Sequence, residues 1–129
     1  MNYAIIKSQL YPVKVCIVSH SDVDDIHRKF PLIPDWIVYE MRENFQAHTI
    51  RGSITATSGP KKGSNEKCVY VLFNPNGYEP ITTGSIAHEA FHVVEFIEEY
   101  IGEQRFSSEA AAYLIDWVAD QCQDVISGT

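Results

Sequence analysis

The 129-residue chain has little that could cross-link it or draw it onto a polyanion. Its three cysteines, Cys16, Cys68 and Cys122, are scattered and odd in number, and no CxxC pair occurs. This excludes a disulfide framework and reads as small core residues in a reducing compartment. Cationic residues are scarce: ten Lys and Arg face seventeen Asp and Glu, for a formal net charge of −7. Such a balance argues against a nucleic-acid groove or an anionic membrane as partner. No apolar run approaches the ~20 residues that span a bilayer. Met1–His20 shows no secretory pattern, because Lys7 and Lys14 interrupt it. The expectation is a cytoplasmic protein. Repeats, low-complexity tracts and linkers are also missing, so residues 1–129 are read as one domain. No feature sets an oligomeric state.

What is present supports a real core, with 45% hydrophobic residues. Val13–Val18 is β-branched and reads as a central strand, with Tyr3–Lys7 as a strand before it. Ser21-Asp22 starts a helix that carries Val23, Ile26, His27 and Phe30 on one face until Pro31 stops it. Pro31–Phe45 fits either a short helix or an irregular cover. His48–Thr57 alternates loosely and reads as a strand. Ser58–Asn65 is a turn whose lysine pair reads as a solvated tip, and Cys68–Phe73 is a second strong strand. The last two strands should form an antiparallel hairpin. Asn74–Thr83 then connects to two helices. The expected fold is α+β: a small twisted sheet of three to four strands packed on helices.

The informative segment is His88-Glu89-Ala90-Phe91-His92, an HExxH pentad in an apolar, helix-like run. On a helix, residues four apart share a face, so two imidazoles can reach one Zn²⁺ at ~2.0–2.1 Å. The glutamate beside the first histidine can take a proton from a water held at the ion. Thr82 to Ser85 offer hydroxyls for an N-cap. The residues from Ile86 to Ile97 make the helix look apolar almost all round, and therefore central and buried.

A catalytic zinc site needs a third protein ligand and one open position. Glu109 lies seventeen residues after His92, in the first turn of a helix that starts near Ser107 or Ser108. A Gly102 C-cap and a short turn would bring that helix back beside the first. Other acids fit less well. Glu95 is carried away by the advancing helix, Glu98 and Glu99 lie roughly 9–10 Å further along the axis, and Asp116 is two turns past Glu109. Cys122 would approach the site only if the last helix ran past it.

His88, Glu89, His92 and Glu109 together resemble the gluzincin branch of the HExxH zinc metallopeptidases. The stretch from Tyr70 to Trp117 is similar to small zincin-like proteins encoded by bacteriophages and prophages. The matching pieces are Val71-Leu72-Phe73-Asn74-Pro75, Thr83 to His92, and Glu109-Ala-Ala-Ala-Tyr113-Leu114. The resemblance implies a zincin-like fold, with the HExxH helix followed by a C-terminal helix. It also implies a Zn²⁺ cofactor, a peptide or protein substrate, and the cytoplasm of a host cell as the location.

The function so implied is a zinc-dependent peptide-bond hydrolase in which Glu89 activates a water held at the metal. Such sites bind extended substrates on an edge strand. The candidates here are Cys68–Phe73 and its partner His48–Thr57. Tyr113 and Asp116 are candidates for oxyanion stabilisation or for orienting a histidine, with Tyr100 behind them. Where gluzincins often carry an aspartate one turn after the glutamate ligand, this chain has Tyr113. It also lacks the second lobe that supplies an oxyanion donor in larger members. That departure leaves an alternative: a catalytically weak or inactive zinc-binding protein acting as a phage or prophage interaction module.

Overall fold

The computed structural model describes residues 1–7, 11–102 and 107–128. Among the described residues the chain forms an α+β fold of four strands and four helices. In order these are β1 (Asn2–Lys7), β2 (Lys14–Ser19), α1 (Val23–Lys29), α2 (Asp35–Glu43), β3 (Ala47–Thr55), β4 (Asn65–Phe73), α3 (Thr83–Ile101) and α4 (Ser108–Ser127). The mixed sheet has the order β1-β2-β4-β3. β1 pairs antiparallel with β2, β2 parallel with β4, and β3 antiparallel with β4.

Strand alternation divides the core in two. Cys16, Val18, Cys68, Tyr70 and Leu72 pack with Ile50 and Ile54 against α1 and α2. Val15, Ile17, Val69, Val71 and Phe73 pack against α3 and α4. β2 and β4 are therefore buried on both faces, which explains why they read as continuous apolar runs. Helices thus cover both faces of the sheet. The ambiguous Pro31–Phe45 contains α2, whose Ile37, Val38 and Met41 close the second face.

The helix ends are fixed locally. The Asp22 carboxylate accepts from the amides of Asp24 and Asp25 at the start of α1. Thr82 and Ser85 cap α3 reciprocally, and each such cap contributes about 1 kcal/mol. Gly102 ends α3 at φ 70°, a left-handed conformation that glycine adopts without strain. The turn expected between Gly102 and Ser107 lies outside the described residues.

α4 runs antiparallel to α3. Tyr100, near the end of α3, donates its hydroxyl to the Gly52 carbonyl, towards the far end of the β3–β4 hairpin. At the end of α4, Gly128 lies against the side chain of Asn2. Asn2 pairs with Ser19, and Ser19 with Phe73, at the opposite end of the sheet. Among the described residues, no helix is long and apolar enough to cross a membrane.

Candidate functional site

α3 is not buried all round. Ile86, Glu89, Ala90, Val93, Val94 and Ile97 form its inward stripe, whereas His88 and Phe91 are exposed, Phe91 by 50%. The pentad is thereby split between two environments. Glu89 points into the protein and is only 8% exposed. His88 and His92 lie on the outer surface, one turn apart.

The two rings meet edge to face, with centroids 4.6 Å apart. Their Nε2 atoms are separated by 3.1 Å. Two nitrogens at ~2.0–2.1 Å from a tetrahedral zinc stand roughly 3.3–3.4 Å apart. The pair therefore has nearly the bite that such an ion requires, and its donor chemistry suits zinc. His92 Nδ1 in turn lies 2.9 Å from Glu95 Oε1.

Glu89 has a donor of its own. The Thr49 hydroxyl, on β3, donates to Glu89 Oε1 at 2.8 Å. A buried carboxylate without such a donor would cost several kcal/mol. No motif in the sequence marks Thr49. Strand alternation does put it on the side opposite Ile50, but no sequence pattern names its partner forty residues on. α4 passes the same place: burial first, and then the charge of Glu89, push the Cys122 thiol up to about 12.

Glu109 stands elsewhere. It is exposed in the first turn of α4. It precedes Cys122 by thirteen residues, which is about 20 Å of helix axis. In an antiparallel hairpin that displacement carries it towards the C-terminal end of α3, away from His88 and His92. The sequence sets the reason: α3 continues nine residues beyond His92 before the chain turns. Among the described residues no three His, Cys, Asp or Glu side chains converge closely enough to hold a metal ion. The structure brings His88 and His92 together on α3, turns Glu89 inward on the same helix, and leaves Glu109 apart. Tyr113 is 70% exposed and Asp116 is exposed, and among the described residues neither contacts a histidine of the pair. Tyr100 is taken up by Gly52, and burial raises its phenol above the usual range.

The sheet edge beside the site is β3. β4 lies between β2 and β3, which removes Cys68–Phe73 as an edge candidate. The Asn74 amide donates to the Gln46 carbonyl and the Ala56 amide to the Ser64 carbonyl, one just before and one just after the β3 ladder. Antiparallel pairs alternate, so His48, Ile50, Gly52 and Ile54 bond to β4. The backbone groups of Thr49 and Arg51 then point to the open side. A groove of about 520 Å³ follows this edge, lined by Trp36, Ile37, His48, Thr49, Arg51 and Phe96 among others. Arg51 pairs with Glu99 at 2.8 Å and lies over the Phe96 ring. His20 and His27 pair instead with Asp25 and Asp35, on the α1/α2 side.

Comparison of the chain with protein-family models, with curated proteins and with solved structures returns no match.

Proposed function

We propose that the chain is a zinc-dependent peptide-bond hydrolase of zincin type. The observation that carries this reading is the arrangement of the pentad. Two Nε2 atoms lie 3.1 Å apart on the solvent side of α3, and the glutamate between the histidines is held by Thr49 on the neighbouring edge strand. His88 and His92 would hold the ion. When bound, zinc supplies Lewis acidity towards a carbonyl and makes water acidic near neutral pH.

The chain's own part is positional. Glu89 takes a proton from the attacking water and returns it to the leaving amine. An extended peptide pairs with the free backbone groups of Thr49 and Arg51. Since the Thr49 side chain holds Glu89, the residue that registers the peptide also sets the base. The third donor is assigned to Glu109 by the resemblance alone.

A second reading, a zinc-binding protein with weak or no catalysis, is favoured by the exposed position of Glu109 and by the lack of contact from Tyr113. Incubation of zinc-loaded protein with a peptide library separates the two. Cleavage by wild type, abolished in Glu89→Gln with zinc retained, supports the hydrolase. Zinc binding without cleavage by wild type supports the second reading.

A further inference from the structure

His92 meets a partner at each ring nitrogen. Nε2 faces His88 Nε2 at 3.1 Å, and Nδ1 lies 2.9 Å from Glu95 Oε1. Helical spacing produces this arrangement, because His88, His92 and Glu95 at i, i+4 and i+7 share one face of α3. An ionised carboxylate only accepts, so in the Glu95 contact Nδ1 carries the proton and donates. The lone pair of His92 then resides on Nε2, the atom aimed at His88.

We propose that Glu95 is the positioning residue of this pair. Its carboxylate fixes the Nδ1–H tautomer of His92 and turns the ring so that Nε2 is presented to a metal ion. This proposal rests on the zinc-site reading of the pair. Nearby acids are engaged or remote: Glu89 accepts from Thr49, Glu99 pairs with Arg51, and Asp116 is exposed on α4. Among the described residues, Glu95 is the carboxylate that touches a ring nitrogen of the pair. A ligand and its orienting group on successive turns of one helix need no contribution from α4, so half of the site is built by α3 alone.

Two measurements on the full chain test this. Nitrogen-15 NMR of the histidines in metal-free protein reports the tautomer, and competition titration with zinc reports affinity. Glu95→Ala should lose the Nδ1–H preference of His92 and weaken zinc by about 10–100-fold, the usual effect of removing an outer partner of a ligand histidine. Glu95→Gln keeps an acceptor and should restore the tautomer and most of the affinity. Glu95 is on the surface, with its side chain 48% exposed, so helix content should not change. If Glu95→Ala retains either the wild-type tautomer or the wild-type zinc affinity, the proposal fails. A wild-type protein without zinc affinity would instead refute the zinc-site reading, and the tautomer in metal-free protein would still decide the role of Glu95.

Discussion

The two faces of the sheet are built from the same strands to opposite effect. On the α1/α2 face, Cys16, Val18, Tyr70 and Leu72 meet Ile26, Ile37 and Met41, and the one buried hydroxyl, that of Tyr70, donates to the Ser53 carbonyl. On the α3/α4 face a similar apolar set surrounds Glu89, a buried carboxylate that accepts from the Thr49 hydroxyl. The first face carries no buried carboxylate among the described residues. The second departs from packing at Glu89, the buried charged residue among the described residues, and that position belongs to the pentad. A fold that needed only stability would not place a glutamate there, since desolvating a carboxylate opposes folding.

Exchanging one residue on each face gives the largest effects. Glu89→Gln should reduce peptide hydrolysis by about 10²–10⁴-fold while leaving stability within about 1 kcal/mol of wild type, because the amide still accepts from Thr49 and a buried charge is gone. Parallel assays of cleavage and urea unfolding check both arms. Ile26→Ala on the other face should do the reverse. It should cost about 2–5 kcal/mol of stability and leave zinc affinity unaltered. Equal destabilisation by the two substitutions would erase the distinction between the faces.

Thr49→Val tests the link between the edge strand and the base. The valine keeps the shape but removes the donor. A hydrogen bond to a charged group contributes about 1.5–3 kcal/mol, so the rate of cleavage should fall by roughly tenfold or more, with Thr49→Ser close to wild type. A Thr49→Val protein with full activity would show that the contact does not hold the base.

Much of this arrangement could be read from residue order, and the remainder shows where such reading stops. Val13–Val18 and Cys68–Phe73 were legible because strands buried on both faces need apolar residues at every position. The hairpin and the caps of α3 follow from local signals at Ser58–Asn65, Thr82 and Gly102. α2 was ambiguous because Pro31, Pro34 and the exposed Trp36 and Tyr39 obscure its stripe at Ile37, Val38 and Met41. The parallel pairing of β2 with β4 depends on a crossover through α1, α2 and β3, which no short pattern encodes.

The pentad was plain, but its inward and outward division was not, since Phe91 made the helix look apolar on every side. Residue type and a place in a first turn single out Glu109 in the sequence. Its distance along the axis depends on how far α3 runs past His92. Helical advance takes Glu95 out of the ligand set. Its contact with the second nitrogen of His92 becomes visible only when the ring orientation is known.

Glu109→Ala addresses that difference. With Glu109 outside the His88–His92 cluster, the substitution should weaken zinc less than His92→Ala does in a competition titration. Equal losses would mean that the first turn of α4 reaches the pair once the ion is bound.

The faces also differ in what sets their alkaline stability. Burial pushes the Cys68 thiol, on the α1/α2 face, and the Cys122 thiol, on the α3/α4 face, from 9.0 up to about 12. Both thiols stay protonated in the folded protein at pH values where they ionise in the unfolded chain. Their contribution is full below pH about 9 and is lost as the pH rises towards 12. Urea unfolding between pH 8 and 11 should show this limb flattened by Cys68→Ala or by Cys122→Ala. Glu89→Gln should soften it only through Cys122, whose thiol alone of the two responds to that charge.

The most direct test is zinc titration of metal-free protein, with wild type compared to His88→Ala and His92→Ala. One ion per chain in wild type, with the affinity of each variant reduced by well over the ~100-fold reached by outer-partner changes, is the predicted result. Wild-type protein that binds no zinc, or variants that bind it as tightly as wild type, would contradict the account.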